Sequence, residues 1–159
     1  MKIRKPTQEI FVKVSALLSS AFPKSQYEAK LFEDFHDNNT PIHEWVCIHI
    51  NKVVAYIAFS NAYNGDEICG LHLAPLAVTP KFQGQDFGSE IVNFALRQEV
   101  IKNSPIFVMG NPKFYKQFGF EPCTMPLCPF AKKNMHFLAL RNKTTTQFTI
   151  GYEPEFGPN

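Results

Sequence analysis

Apolar positions follow two different periods along this chain, and each change of period marks a new element. Ile3 starts a short strand, and Pro6-Thr7 then opens a segment in which Ile10, Phe11, Val14, Leu17, Leu18 and Ala21 recur at helical spacing. Phe22-Pro23 ends that helix. Ser25-Gln26-Tyr27-Glu28 is a capping-box sequence, and it introduces a second helix with Leu31, Phe32 and Phe35 on one side. After the loop Asp37–Pro41 the period falls to that of strands. Glu44–Ile50 and Lys52–Ser60 are rich in β-branched and aromatic residues and flank Asn51, which predicts an antiparallel hairpin. Asn61–Glu67 is polar, with a turn expected at Asn64-Gly65, and it feeds a strand over Ile68–Val78. Pro75 has no N–H to give to a ladder, so a bulge or an edge is expected there.

The second half alternates strand and helix. Leu76–Ser89 is an apolar strand end running into a loop with closely spaced glycines, followed by a helix over Phe87–Lys102 with Phe87, Ile91, Phe94 and Ala95 toward the sheet. Ile106–Gly110 is the next strand. Pro112 starts a short helix that Gly119 closes. His136–Leu140 and Phe148–Tyr152 are expected to pair as a hairpin around the loop Arg141–Gln147. No repeat, low-complexity tract or long linker interrupts the pattern, so residues 1–159 are expected to form a single domain.

The loop is the most informative stretch. A strand-to-helix turn of this kind aims several backbone N–H groups at one point, where the positive end of the helix dipole also lies, and such a place suits a phosphate. Gln83-Gly84-Gln85-Asp86-Phe87-Gly88, followed after the next strand by Tyr115-Lys116-Gln117-Phe118-Gly119-Phe120, resembles the paired motifs of the GNAT superfamily of acyl-CoA-dependent N-acetyltransferases. Those proteins carry Gln/Arg-x-x-Gly-x-Gly/Ala at the loop and Tyr-x-x-x-Gly-Phe beyond it. Within the superfamily, the Leu-Ala-Val-x-Pro lead-in at Leu76–Pro80 and the Asn-Pro start of the second motif at Asn111-Pro112 are similar to the YhbS-like predicted acetyltransferases. Ile3-Arg4-Lys5-Pro6 and Gly151–Phe156 also resemble the ends of that group, so the likeness covers nearly the whole chain. It implies an α/β (α+β mixed sheet) architecture, the GNAT acyl-CoA N-acyltransferase fold: a strongly twisted mixed sheet of about six or seven strands flanked by about four helices.

Composition narrows the function without naming it. A formal charge of +2 gives no electrostatic case for nucleic acid or membrane surfaces. With 45% hydrophobic and 19% charged residues the chain belongs among ordinary globular proteins, and 16 phenylalanines suggest an aromatic-walled core or pocket. No signal-type apolar segment follows Met1-Lys2-Ile3-Arg4-Lys5-Pro6, and Val53–Phe59 is far too short to span a bilayer; a cytoplasmic protein is expected. Cys47, Cys69, Cys123 and Cys128 lack paired spacing, so reduced thiols are expected and no metal; Cys123, Cys128 and His136 make a poor zinc set with no fourth ligand.

The resemblance assigns roles residue by residue. Acetyl-CoA is the implied co-substrate, its diphosphate on the loop Gln83, Gly84, Gln85, Asp86, Phe87, Gly88 and Ser89. Its pantetheine arm is expected along the strand backbone at Leu76, Ala77 and Val78, with Asn111 near it or serving as a helix cap. Tyr115 corresponds to the general acid, a phenol that is protonated at neutral pH and can give its proton to the departing sulfur. His72 stands eleven residues before Gln83, where one branch of the superfamily has a catalytic carboxylate; a histidine titrating near neutrality would suit a base, and the alternative is a strand histidine that only packs or faces solvent. Tyr27 and Glu28, on the second helix, are candidates for holding the acceptor. Asp86 departs from the family glycine; it would cap the helix, and its carboxylate would oppose a diphosphate. The leading function is thus acetyl transfer from acetyl-CoA to a primary amine, small-molecule or protein, by direct attack in a ternary complex, an EC 2.3.1 acyltransferase. No cysteine sits near either motif to support a covalent route. A GNAT-fold sensor or interaction module with weak CoA binding, and a plain nucleotide-phosphate binder, remain as alternatives. The acceptor is not specified by these residues, and C-terminal strands of this fold often mediate homodimers.

Overall fold

The computed structural model describes residues 1–130 and 136–157. Among the described residues, seven strands form one mixed sheet in the order β1-β2-β3-β4-β5-β7-β6, with four α-helices. The strands are β1 (Lys2–Arg4), β2 (Ile42–His49), β3 (Lys52–Asn64), β4 (Glu67–Val78), β5 (Ile106–Met109), β6 (Glu121–Pro122) and β7 (Phe137–Leu140). The helices are α1 (Phe11–Ala21), α2 (Tyr27–Asp37), α3 (Phe87–Leu96) and α4 (Pro112–Lys116). The α/β architecture expected from the sequence is the one observed. The chain gathers into two compact units, Met1–Phe59 with Ala74–Lys102 and Ser60–Leu73 with Asn103–Asn159; β3 and β4 each contribute to both.

In the first unit, β1 runs antiparallel to β2 with Ile3 opposite Cys47. Ile50 and Asn51 both take positive φ (50° and 61°), as a two-residue hairpin turn between β2 and β3 requires. Val14, Leu17 and Leu18 of α1 and Ala29 and Phe32 of α2 pack with Val46, Tyr56, Ala58 and Ala77 of the strands. Trp45, one residue along β2 and therefore on its opposite face, meets Phe59 and Phe94 with ring centroids 6.1 and 6.4 Å away. Alternation along one strand thus serves two helical layers. Each fully buried ring such as Phe32 contributes about 1.5–3 kcal/mol by leaving water. Glu44 ties α2 to the sheet: it accepts from Tyr56 Oη at 2.7 Å and lies 3.0 Å from His36 Nε2.

In the second unit, β4 and β5 are parallel, with Leu71 opposite Ile106 and His72 opposite Phe107. β7 lies antiparallel to both β5 and β6. Ala62, Phe107, Cys123, Cys128, Phe137, Ala139 and Ile150 form this unit's core. Pro75 falls beyond the last β4 residue paired with β5, where its missing N–H interrupts no bond to that strand.

Four local expectations are corrected. β3 continues through the polar stretch to Asn64, and the turn is Gly65-Asp66. α3 stops at Leu96 instead of reaching Lys102, because the Gln98 side-chain amide takes the Phe94 carbonyl at 2.9 Å and its backbone N–H turns to Ala95 O at 3.1 Å. That turn carries Ile101 into full burial. The capping box of α2 is half formed: Ser25 Oγ accepts from Tyr27 N at 3.1 Å, while Glu28 Oε1 has no hydrogen-bond partner. Finally, Phe148–Tyr152 does not pair with β7. The neighbours of β7 are β5 and β6, and the later segment makes single bridges, Leu127 to Thr149 and Tyr63 to Gly151.

Candidate functional site

In the first unit, the candidate phosphate loop is exposed over Gln83–Asp86 and anchored at both ends. At its start, Gln83 Nε2 donates to Val78 O at 3.0 Å and Gln85 Nε2 reaches Lys81 O at 3.4 Å, so both glutamine side chains fold back on the chain that leads into the loop. At its end, the buried Phe87 ring packs edge-on against Phe82 at 5.7 Å and against His49 at 5.1 Å. Gly84 has φ +80°, and a methyl group on its Cα would meet nothing within 4 Å, so its left-handed turn leaves open space above the backbone. The first bond within α3 runs from Glu90 N to Asp86 O at 2.9 Å. The amides of Phe87, Gly88 and Ser89 therefore precede the helical ladder and point out of its N-terminus. On β4, Leu76 and Val78 are half-buried while Ala77 points into the core shared with α1 and α2.

Asp86 corrects one expectation. It precedes α3 with φ 66° and ψ 9°, and its side chain makes no capping bond. An aspartate in the left-handed region is strained relative to glycine, and a capping side chain belongs to an extended residue. Here the backbone has a shape that glycine adopts without strain, and the carboxylate is an addition to it.

Tyr27 is half-exposed at the start of α2, with its phenol raised above the ordinary value by burial and then by the charge of Glu28. The buried Glu28 Oε1 beside it is a carboxylate oxygen that desolvation has left without a donor, the kind of group that an ammonium would satisfy.

The second unit holds the other candidates. Asn111 caps α4: its Oδ1 accepts from Lys113 N at 2.9 Å, with Pro112 at the first helical position. Its side-chain oxygen is thereby committed, leaving the amide NH2 for any other partner. Tyr115 is 6% exposed, walled by Phe114 at 4.9 Å and Phe120 at 5.4 Å. Burial holds its phenol well above the ordinary tyrosine value, so it is fully protonated at neutral pH.

His72 does not titrate near neutrality as the sequence suggested. It is 2% exposed, stacked on Tyr152 at 3.6 Å with 5° between the rings, and burial lowers its pKa to about 4 against a partial opposing effect of its bond to Gly151. Nε2 lies 2.9 Å from Gly151 O, and since a carbonyl cannot donate, that nitrogen carries the proton. His72 is built as a neutral donor that holds Gly151-Tyr152, a poor arrangement for a base. Sequence spacing could not reveal this, because Gly151 and Tyr152 are about eighty residues away in the chain.

Burial pushes the Cys47 thiol up to about 11 and raises those of Cys69 and Cys123, which disfavours these three as nucleophiles. Among the described residues no group of three metal-ligating side chains comes together, and no helix is long and apolar enough to cross a membrane. Sequence reasoning missed Gly110, on which the Tyr115 ring rests; a lone glycine at a strand end gives no such signal.

The chain is similar to several known proteins. Residues 41–122 match the family model described as an acetyltransferase (GNAT) domain. The uncharacterized N-acetyltransferase YhbS of Escherichia coli is 31% identical over 111 residues, 68% of this chain and 66% of YhbS. YjhQ of the same organism, also named an uncharacterized N-acetyltransferase, is 31% identical over 99 residues, 60% of this chain and 54% of YjhQ. The matches thus span between about half and two thirds of these relatives' lengths. The crystal structure of YhbS in complex with CoA superposes with a TM-score of 0.86 at 25% identity, covering 98% of this chain and 91% of that one. A GNAT family acetyltransferase from Brucella melitensis in complex with acetyl-CoA gives 0.82 at 21% identity, covering 98% and 97%.

Proposed function

This chain belongs to the GNAT acetyltransferase family, and from that premise we propose that it is an N-acetyltransferase acting as one domain, moving an acetyl group from acetyl-CoA to a primary amine by direct attack in a ternary complex. The observation that carries the reading is the exposed loop Gln83–Asp86 entering α3, whose first amides lie outside the helical ladder. The residues fit a diphosphate: Gly84, Gln85, Phe87, Gly88 and Ser89 offer backbone N–H groups at the positive end of α3. The backbone of Leu76, Ala77 and Val78 would hold the pantetheine arm. When bound, acetyl-CoA supplies the activated acyl group and a thiolate leaving group.

Tyr27 and Glu28 would receive the acceptor, the free Glu28 Oε1 attracting its ammonium group. Tyr115, kept neutral by burial, gives its proton to the departing sulfur. His72 serves by fixing Gly151 and Tyr152. The acceptor ammonium gives one proton to water before attack, and the second, lost from nitrogen as the amide forms, returns through water to the Tyr115 oxygen. Spacing nominated His72 as the base; its depressed pKa and committed Nε2 favour this supporting part.

Asp86 favours a second reading, a GNAT-fold sensor that binds CoA weakly, because its carboxylate is uncommitted beside the amides meant for phosphate. Thermal melts with acetyl-CoA, CoA and ADP at millimolar concentration separate these readings. A ligand at a hundredfold excess over its dissociation constant adds about 2.7 kcal/mol of stability. A larger shift with acetyl-CoA than with ADP is expected; equal shifts favour a plain nucleotide binder. No shift, restored by Asp86→Gly, favours the sensor.

A further inference from the structure

Gly110 follows β5 directly and precedes the Asn111 cap. A methyl group on its Cα would stand 2.5 Å from Tyr115 Cε2, closer than carbon atoms can pack, and 3.1 Å from Cδ2. The Tyr115 ring therefore rests on a bare Cα. It cannot swing aside cheaply, since Phe114, Phe118 and Phe120 stand at 4.9, 6.4 and 5.4 Å. Nor is the backbone loose at either residue. Gly110 N donates to His136 O at 2.9 Å, Tyr115 N to Asn111 O at 3.1 Å, and the Tyr115 carbonyl accepts from Phe118 N and Phe120 N at 3.1 and 3.4 Å. With the backbone bonded at both residues the clash falls on the ring, and even a small turn, costly against the surrounding rings, carries its hydroxyl elsewhere.

We infer that Gly110 is a positioning residue for Tyr115: the missing side chain sets where the phenol hydroxyl stands, and a larger residue displaces it. This rests on the reading of Tyr115 as general acid, and neither motif that marks the family likeness in this chain includes Gly110.

The test is a double-mutant cycle read by release of CoA thiol from acetyl-CoA, with spermidine, kanamycin and Nα-acetyl-lysine amide as amine probes. Gly110→Ala is expected to lower kcat about tenfold or more with KM for acetyl-CoA unchanged. The pair Gly110→Ala/Tyr115→Phe is expected to be no slower than Tyr115→Phe alone, because once the hydroxyl is gone its position no longer matters. Wild-type protein that is silent with every probe, or Tyr115→Phe at full rate, overturns the functional reading and this inference with it. A slow Tyr115→Phe beside an unimpaired Gly110→Ala, or additive losses in the pair, overturns the inference alone. Should Gly110→Ala fold too poorly to assay, melting temperatures decide. Alanine at 110 is expected to be tolerated once Tyr115→Ala has removed the ring, and an equal loss in both backgrounds overturns the inference.

Discussion

The two motifs that mark this chain are built on opposite physical plans. Gln83–Asp86 is exposed and polar, held by Gln83 on Val78 O, by Gln85 on Lys81 O and by Phe87 in its aromatic seat. Tyr115–Phe120, with the Asn111 cap ahead of it, is pinned throughout by that cap, a carbonyl that accepts twice, and rings on several sides of a buried phenol. The difference follows from the tasks proposed for them. A diphosphate is met by backbone amides, which need a fixed turn and open space in front of it. A proton donor must stay neutral and in one place, and burial with tight packing provides both. Side-chain identity is thus expected to matter little in the middle of the loop and greatly at Tyr115.

The largest effect should come from Tyr115→Phe, which removes one oxygen and leaves the packing intact. Its kcat is expected to fall by about a hundredfold or more while the acetyl-CoA melting shift is unchanged, both measurable by thiol release and thermal melts. A lost melting shift would mean that Tyr115 serves binding, and the contrast between the two motifs would fail.

Next comes the pH dependence of stability set by His72, buried in the same unit as Tyr115. Its folded pKa of about 4 lies below the ordinary 6.5, so the unfolded chain takes up the proton first. The neutral form's advantage is complete above about pH 6.5 and is lost as pH falls toward 4, a change of about 3 kcal/mol for this group. Denaturant titrations from pH 7 to 4 should show His72→Gln, which keeps a donor for Gly151 O, with a flatter decline than wild type. Equal slopes would refute the burial argument.

Phe87→Ala should cost about 3 kcal/mol, because it empties the buried anchor at the end of an otherwise exposed loop. Urea unfolding measures the loss, and the acetyl-CoA melting shift should shrink with it. If the ligand shift persists in full, the loop holds its shape without that anchor.

The smallest effect is expected from Asp86→Gly. Glycine suits a φ of 66° and removes the carboxylate, so CoA should bind about tenfold tighter by calorimetry, equivalent to ~1.4 kcal/mol. Equal or weaker affinity would show that the carboxylate is harmless where it stands.

Legibility in the sequence tracked how local the deciding interaction was. α1 and α2 were readable because Val14, Leu17, Leu18, Leu31, Phe32 and Phe35 declare a buried face by spacing alone. The hairpin at Asn51 and the start of α4 at Pro112 were readable for the same reason, since turn and cap chemistry act across a few residues. The C-terminal hairpin was misjudged because Phe148–Tyr152 meets Tyr63 and Leu127, partners that no short-range pattern announces. α3 was overextended because a side-chain amide at Gln98 competes with the helix for the Phe94 carbonyl.

The order of elements, the glycine loop before α3 and the tyrosine ahead of Gly119-Phe120 were fixed by residue types at short spacing, and they suffice for the fold and the family. Protonation and position were decided only in three dimensions. His72 became a buried neutral donor because Gly151 and Tyr152 close over it, and Tyr115 acquired its place because Gly110 has no side chain. Desolvation and steric exclusion depend on every neighbour in space, and a sequence lists only the neighbours along the chain.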